Sequence, residues 1–391
     1  MKEKLGMDFQ LTSEQRMVQD SARRMAERDL YPAVNAEDRD RPLPKEVMRK
    51  LLQICAAQGL TSARVPEKAG GAGMPTLTFG LMFEQLPPVV AFAIVGQEAT
   101  ATRIALESTD EQRERLLPDL IAVKKITCTG STEPDAGSDP RGIKTQVRED
   151  GDSLVVNGSK MWITNASICD VINITATQGK NPDGSGRMVR VVVDREESPF
   201  QTSKTPCLGF LQGHLGEVVF DECRVPKRNQ LGSAGDAARV LTLTWLANRP
   251  LFGLMATNMA QRALDAALKY AEDRSQFGKK IGSYQLVQEL LADISTAVMT
   301  SRLICYYALD AIDNGERANR VSAMAKRYAI AACQRAISMA MEVHGSMGIS
   351  REVGLEQLFR DCRMLPIPDG TNQILTLIEG RELTGISAYR A

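Results

Sequence analysis

Histidines and closely spaced cysteines are scarce in this sequence. Only His214 and His344 occur among its 391 residues, so a histidine-rich metal centre or a Ser-His-Asp triad has little material. The eight cysteines never take a Cys-x-x-Cys spacing, which favours reduced, buried thiols over a disulfide framework or a zinc site. We therefore expect no metal site, and we expect both histidines to be structural or surface residues rather than catalytic bases.

Net charge and long apolar runs are also missing. Lysine and arginine total 48, and aspartate and glutamate total 48, so no overall basic field exists to attract nucleic acid or a membrane surface. No uninterrupted apolar run reaches the roughly 18 residues needed to cross a bilayer, and residues 1–6 lack the apolar core of a signal peptide. These absences predict a cytoplasmic protein with neither nucleic acid nor a membrane as a partner.

What the sequence does contain is a change of pattern along its length. A chain of 391 residues exceeds one ordinary core and predicts two or three domains. Helical spacing dominates residues 1–123, short β-rich runs dominate residues 124–234, and helical spacing returns over residues 235–391. Because long apolar helices usually pack as an antiparallel bundle, we predict an α+β multidomain protein with helical, β and helical-bundle domains in that order.

Two local signals predict specific elements. Thr12-x-x-Gln15 has the form of a capping box, and the helix that it begins is expected to stop before Pro32. Asn157-Gly158 lies between two β-rich runs, which is a strong signal for a hairpin turn. We therefore predict a helix from residue 13 and a tight β-hairpin at residues 157–158.

A single carboxylate stands out near the end of the chain, where Asp369 lies between Pro368 and Gly370-Thr371. Such a turn points an acid into a cavity and directs backbone N–H groups toward an anion. The alternative for this segment alone is an ordinary β-turn with proline at its second position. Other parts of the chain favour the functional interpretation.

Six motifs are spread along the chain: Pro66-Glu67 with Gly70-Gly71, Thr132-Glu133-Pro134-Asp135-Ala136-Gly137-Ser138-Asp139, Asn157-Gly158-Ser159-Lys160-Met161-Trp162-Ile163-Thr164-Asn165, Val225-Pro226, Arg274-Ser275-Gln276-Phe277-Gly278, and the segment around Asp369. In this order they resemble the acyl-CoA dehydrogenase family of flavoproteins, and the likeness runs over nearly the whole chain. The ending, residues 380–389, resembles that of glutaryl-CoA and alicyclic acyl-CoA dehydrogenases.

The resemblance implies a fold, a cofactor and a reaction. The fold has an N-terminal all-α domain, a central β-barrel-like domain and a C-terminal four-helix bundle that carries the catalytic turn. The cofactor is FAD, the substrate is an acyl-CoA, the electrons pass to an electron-transfer flavoprotein, and the assembly is a homotetramer built as a dimer of dimers. The family reaction removes a proton next to the thioester while a hydride leaves the next carbon for the flavin, and Asp369 stands in the position of the base.

The resemblance also assigns residues to the cofactor and the substrate. By this resemblance the flavin ring would be hydrogen-bonded by Ser131 and Thr132 and covered at its far edge by Trp162 and Thr164. The adenosine diphosphate portion would be held across a subunit boundary by Arg274 and Phe277, with Gln285 nearby, and the pyrophosphate would be contacted by Thr371 and Gln373. Glu342 and Ser346 stand where many members have Gln-x-x-Gly-Gly. Ser138 and Arg249 match positions that contact coenzyme A, and Gly370 is assigned to substrate binding with them. A pyrophosphate needs such arginine, hydroxyl and backbone N–H donors.

The base position departs from the family pattern, which commonly has glutamate where this chain has Asp369. The side chain loses about 1.5 Å of reach, and a misplacement of about 1 Å can cost on the order of a hundredfold in rate. Some branches carry the base on the first helix of the C-terminal domain, but the matching residue here is Asn248, which cannot usefully accept a proton.

A shifted turn or a different substrate would compensate for the shorter base. We expect a short, branched or alicyclic acyl group, with cyclohexanecarboxyl-CoA as a specific example. Glutaryl-CoA fits less well, because residues 89–97 contain no arginine to pair its distal carboxylate.

Two alternatives stay open. A nitroalkane-oxidase-like flavoenzyme would use Asp369 to take a proton from a small carbon acid, would need no coenzyme A and would return electrons to oxygen. A catalytically degenerate family member would keep the fold as an assembly or acyl-CoA-binding partner, an interpretation that rests on Glu342 and Asp369.

Overall fold

The N-terminal section is helical in the computed structural model, which describes residues 10–182, 184–233 and 237–388. The side chains of Thr12 and Gln15 each accept a hydrogen bond from the other residue's backbone N–H, so the predicted capping box is confirmed. The helix does not stop before Pro32, because a π-helical turn, Ala26–Leu30, carries the chain into another helical segment. The helices of this section are α1 Ser13–Met25, α2 Tyr31–Asn35, α3 Lys45–Ala56, α4 Thr76–Phe83, α5 Pro88–Glu107 and α6 Asp110–Ile121.

Helix α5 crosses the core of this section. It is the one described helix with the length and mean hydropathy, 1.3, of a membrane span, and 89% of its apolar window is buried inside the protein. Glu98 and Arg103 interrupt the apolar sequence of α5, and both are buried, at 0% and 5% exposure. Buried charges require polar or charged partners, so the neighbours of α5 must supply them.

The central section is a mixed sheet. Its strands are β1 Thr127–Gly130, β2 Gln146–Asp150, β3 Ser153–Ile163, β4 Val171–Lys180, β5 Gly186–Asp194, β6 Gln201–Lys204, β7 Gly216–Pro226 and β8 Gln230–Leu231. They lie in the order β6-β7-β3-β2-β4-β5-β8, with β1 parallel to β4. Within the described residues, β6 and β8 pair on one side only. The predicted barrel-like closure is therefore wrong, because edge strands of four and two residues are too short to complete a barrel.

The predicted hairpin at Asn157–Gly158 is also wrong. Strand β3 runs through both residues and pairs with β7 on either side of a register shift between Val156 and Gly158. Gly158 has φ 141°, and a Cβ at this position would meet Thr145 atoms at 2.6 to 2.9 Å. Glycine is favoured both in a tight turn and in a β-bulge where another backbone approaches closely. The local residue types therefore do not distinguish a hairpin from a bulge.

The C-terminal section is a helical bundle. Its elements are α7 Ala237–Asp273, the hairpin strands β9 Ser275–Gln276 and β10 Lys279–Lys280, α8 Gln285–Asp313, α9 Asn319–His344, α10 Leu355–Met364 and α11 Asn372–Thr384. Helices α7, α8 and α9 pack against one another, and α11 lies against α9. One apolar cluster contains residues from the N-terminal helices and from this bundle, whereas the sheet has an apolar cluster of its own.

His214 is a structural residue in the connection between β6 and β7, as expected. It is buried, and its Nδ1 lies 2.9 Å from Ser167 Oγ. Burial lowers the pKa of the imidazole from 6.5 to about 4, and the charge of Lys204 acts in the same direction. Between these two pH values the unfolded chain binds a proton at this position that the folded protein does not bind.

The free energy of unfolding should therefore fall as the pH falls from 6.5 to 4, by about 3 kcal/mol from His214 alone. We expect His214→Asn to flatten the pH dependence in this range, as measured by urea unfolding at pH 7, 5.5 and 4.5. Ser167→Ala is the control, because it removes the neighbouring hydroxyl and keeps the imidazole. An equally steep loss of stability in His214→Asn would assign the acid sensitivity to other groups.

Candidate active site

Asp369 lies in a strained turn between α10 and α11. Its φ of 51° is in the left-handed region, which a non-glycine residue adopts at a cost of roughly 1–3 kcal/mol and mainly at functional sites. Gly370 follows with φ 104°, and Thr371 caps α11 by accepting a hydrogen bond from the Ile374 backbone. Gln373 is exposed on the first turn of α11. The turn thus joins a half-buried carboxylate to a helix N-terminus.

Two buried cations hold the backbone of this turn. The Lys326 ammonium, from α9, donates to the carbonyls of Pro368 and Gly370, the second at 2.6 Å. Arg249, from α7, donates through Nε to the Asp369 carbonyl at 3.2 Å. Three successive carbonyls therefore accept hydrogen bonds from cations, which fixes the backbone that carries the carboxylate.

Asn248 holds the carboxylate itself. Its Nδ2 donates to Asp369 Oδ2 at 2.9 Å, and its Oδ1 accepts from Arg64 Nη2, also at 2.9 Å. Arg64 in turn forms an ion pair with Glu98 of α5. Asn248, which stands where some branches of the family have the base, thus donates a hydrogen bond to Asp369.

The charges around Asp369 are mostly cationic. Lys326 is fully buried, and burial lowers the pKa of its ammonium to about 7. Arg103 is also buried and donates through Nε to Thr244 Oγ1 at 2.8 Å, and burial lowers the pKa of its guanidinium to about 10. The Asp369 charge opposes both shifts, so both cations lie within electrostatic reach of this carboxylate.

The residues assigned to the flavin ring lie in two neighbouring segments of the sheet section. The Met161 N–H donates to the Thr132 carbonyl at 2.9 Å, which places Thr132 beside Trp162. Trp162 has φ 61° and is 49% exposed, while Ser131 and Thr164 are half-buried. The structure thus brings Thr132 and Trp162 together, as a shared ligand contact requires.

Arg274, Phe277 and Gln285 form a separate, exposed corner of the molecule. The first two belong to the segment of the β9–β10 hairpin, and Gln285 begins α8. Phe277 has φ 51° and is 95% exposed. Within the part of the chain that the structure describes, none of the three hydrogen-bonds to the Asp369 turn, so this corner and the turn are distinct groups.

The other assigned residues lie at the surface. Ser138, Glu342 and Ser346 are exposed. Between the last two, His344 is buried and stacks on Tyr270 with ring centroids 4.4 Å apart, which places the end of α9 against the end of α7. His344 is therefore structural, as expected.

The partners of the base were missed by sequence reasoning. Lys326 shares a face of α9 with Ala329 and Cys333, and a single cation at helical spacing among small residues is a signal that could have found it. Arg64 and Glu98 carry no comparable signal, because the contacts of Arg64 lie 34 and 184 residues away along the chain.

Comparison with known proteins identifies the family. Models of the acyl-CoA dehydrogenase N-terminal, middle and C-terminal domains match residues 12–124, 128–223 and 238–384. The probable acyl-CoA dehydrogenase YngJ of Bacillus subtilis strain 168 is 31% identical over 383 residues, which cover 96% of this chain and 100% of that protein. The chain belongs to the acyl-CoA dehydrogenase family. It is an FAD-dependent oxidoreductase with the three-domain fold of that family.

This acyl-CoA dehydrogenase resembles further proteins along nearly its whole length. Cyclohex-1-ene-1-carbonyl-CoA dehydrogenase of Geobacter metallireducens is 33% identical over 95% of this chain and 98% of that protein. A chain in a structure of the electron transferring flavoprotein of Acidaminococcus fermentans has a TM-score of 0.89 at 28% identity, covering 97% of this chain and 100% of that chain. A structure of PigA with FAD and proline has a TM-score of 0.88 at 25% identity, covering 96% and 99%.

The chemistry of this acyl-CoA dehydrogenase chain fits FAD. Trp162 and Phe277 expose aromatic rings on backbones with positive φ, and strained positions of this kind cluster at ligand contacts. Arg274 is exposed beside Phe277. Asn372, at the start of α11, has a buried Oδ1 that accepts no hydrogen bond from any described residue. Aromatic surfaces, an arginine and an unused acceptor at a helix N-terminus match the rings, phosphates and hydroxyls of this cofactor.

Proposed function

We propose that Asp369 takes the α-proton of a short, branched or alicyclic acyl-CoA, with cyclohexanecarboxyl-CoA as a specific candidate. The observation that carries this proposal is the Asp369 carboxylate, whose Oδ2 is held by Asn248 at 2.9 Å while no described residue hydrogen-bonds to Oδ1. One oxygen is therefore fixed and the other is left to accept a proton. Bound FAD supplies the chemistry of accepting the hydride from the next carbon.

The charged wall beside the base supports a compact acyl group. Glu98 and Arg103 are buried, the Arg64 side chain is 9% exposed, and Arg64 and Arg103 lie close to Asn248 or Asp369. These groups hydrogen-bond to one another, to Asn248 or to Thr244 and make the surroundings of the base polar, which suits a compact acyl group better than a long saturated chain. A small or ring-bearing acyl group needs less apolar wall, in agreement with the alicyclic relative from Geobacter metallireducens.

The residues assigned by resemblance would divide the remaining tasks. The flavin ring would be held and covered by Ser131, Thr132, Trp162 and Thr164. The adenosine end would be held by Arg274, Phe277, Gln285, Glu342 and Ser346, and the pyrophosphate would be bound by Thr371 and Gln373. Ser138 and Gly370 would contact the substrate. Arg249 would act here through its hydrogen bond to the base backbone.

We propose a homotetramer that passes electrons to an electron-transfer flavoprotein. A groove of about 890 Å³ lies between α8, α9 and α11, and the apolar side chains of Phe277, Leu286 and Met299 are exposed. Further copies of the chain would cover these surfaces. The similarity to a chain in the Acidaminococcus fermentans flavoprotein structure supports the choice of electron acceptor.

The visible flavin spectrum under anaerobic conditions tests the reaction. A panel of straight, branched and cyclic acyl-CoA thioesters is added to the purified holoenzyme, and we expect a compact branched or cyclic thioester to bleach the flavin. Bleaching only by long straight-chain thioesters would overturn the substrate class. A flavin that no thioester bleaches would overturn the proposed reaction.

The alternative reaction without coenzyme A is supported by the similarity to the PigA structure with FAD and proline. That structure holds an amino acid rather than a thioester. The same holoenzyme reduced by a nitroalkane and rapidly reoxidised by air would establish that alternative. A protein that purifies without any flavin would instead support the degenerate member.

A further inference from the structure

We propose that Glu98 and Arg64 are positioning residues that orient the base through Asn248. This inference rests on the proposed role of Asp369. It concerns a line of side chains that runs from α5 through the loop before α4 to α7 and ends on the carboxylate of the catalytic turn.

Glu98 fixes the guanidinium of Arg64. Its Oε1 accepts from the Arg64 backbone N–H and from Nε at 3.0 Å, and Oε2 accepts from Nε at 3.0 Å and from Nη2. Thr102, one turn along α5, donates to Oε1 at 2.9 Å. Glu98 is fully buried and the Arg64 side chain is 9% exposed. A paired carboxylate and guanidinium of this kind hold a single geometry.

Arg64 in turn fixes the amide of Asn248. The guanidinium can only donate, so the atom of Asn248 that lies 2.9 Å from Arg64 Nη2 must be the amide oxygen. The amide nitrogen then has to point the other way, toward Asp369 Oδ2. Without Arg64, the Asn248 amide could turn over and present an oxygen to the carboxylate, which would repel it.

The consequence for Asp369 is a fixed rotation of its carboxylate. The donor on Oδ2 fixes the rotation of the carboxylate and leaves Oδ1 as the reactive oxygen. The short side chain makes this control important, because a misplacement of about 1 Å costs on the order of a hundredfold in rate. A buried ion pair by itself adds little stability, so the Glu98–Arg64 pair is better explained by positioning.

The test uses single-turnover reduction of the holoenzyme flavin by the best thioester of the panel, measured over a series of thioester concentrations so that the maximal rate and the affinity are obtained separately. We expect Arg64→Met to lower the maximal reduction rate by about tenfold to a hundredfold while thioester affinity stays within about twofold. The other groups that face Asp369 are Lys326, Arg249 and Arg103, and they are unchanged in this variant.

Two further variants separate positioning from folding. Arg64→Lys should fall between wild type and Arg64→Met, since one ammonium cannot hold Glu98 and Asn248 as a planar fork does. Arg64→Met combined with Asn248→Leu should be no slower than Asn248→Leu alone, because both changes remove the same oriented hydrogen bond.

Glu84→Gln is the matched control. Glu84 is a buried carboxylate that accepts from Arg302 Nε at 2.8 Å and from the Tyr306 hydroxyl, and among the described residues it hydrogen-bonds to neither Asn248 nor Asp369. We expect it to lower the unfolding midpoint without lowering the maximal reduction rate.

A wild-type maximal rate in Arg64→Met would overturn the positioning role, and so would additive losses in the double variant. If Arg64→Met does not fold, a wild-type maximal reduction rate in both Arg64→Lys and Glu98→Gln overturns it equally. Failure of the proposed function is distinguishable, because in that case either no thioester bleaches the wild-type flavin or Asp369→Asn is bleached at the wild-type rate.

Discussion

Asp369→Asn should abolish reduction of the flavin by an acyl-CoA substrate while FAD stays bound. The amide has nearly the size of the carboxylate but cannot take a proton, and loss of a general base typically costs about a hundredfold to ten-thousandfold. The backbone of the turn should persist, because Lys326 and Arg249 bind carbonyls that the substitution leaves in place. Anaerobic stopped-flow bleaching of the flavin measures the rate, and the absorbance spectrum measures the bound FAD.

Asp361→Asn is the matched control for this result. Asp361 lies in the preceding helix, α10, and accepts from the Phe210 backbone N–H at 2.5 Å, and burial raises the pKa of its carboxyl to about 6. It is thus a buried acid of the same segment without contact to the base turn. We expect its loss to affect stability and not the reduction rate. Bleaching of Asp369→Asn at the wild-type rate would show that another group takes the proton.

The order of the domains follows from periodicity because long helices and short strands leave different apolar spacings. The details of the sheet do not follow in the same way. The glycine at position 158 and the asparagine before it match a hairpin, but the close approach of Thr145 makes the same glycine a bulge inside β3. That contact joins separate segments, so no local pattern contains it.

In the site, too, the features formed by neighbouring residues could be predicted from the sequence, and the long-range contacts could not. The turn at Asp369 could be found because proline, glycine and a helix-capping threonine lie next to it in the chain. Its partners could not, because Arg64, Asn248 and Lys326 come from the N-terminal section and from two different helices of the bundle. Sequence reasoning treated Asn248 only as a lost base, and the tertiary contact alone reveals it as a donor.

Lys326→Met should give the second large effect, on both catalysis and stability. The substitution leaves the Pro368 and Gly370 carbonyls without the donor that both use, and each unsatisfied buried acceptor costs about 1–3 kcal/mol. The left-handed conformation at Asp369 loses two of the hydrogen bonds that hold its flanking peptides. A shift of about 1 Å in the turn would lower the flavin reduction rate on the order of a hundredfold.

The control is Ser322→Ala, one turn earlier on α9. Ser322 is buried and donates to the Leu246 carbonyl at 2.5 Å, so its loss removes a buried donor of the same helix that does not reach the turn. Stopped-flow reduction and urea unfolding, measured on both variants, separate the two effects. If Lys326→Met and Ser322→Ala had equal reduction rates, the Asp369 turn would hold its conformation without the hydrogen bonds from Lys326.

The hydrogen bonds of Lys326 should persist when the residue loses its charge. Burial places the pKa of the ammonium at about 7, so above that pH much of the protein carries a neutral amine. A neutral amine retains two N–H groups, which is the number that the two carbonyls need. We therefore expect the loss of reduction rate in Lys326→Met to be as large at pH 8.5 as at pH 6. A loss confined to the lower pH would instead assign the effect to the positive charge beside Asp369.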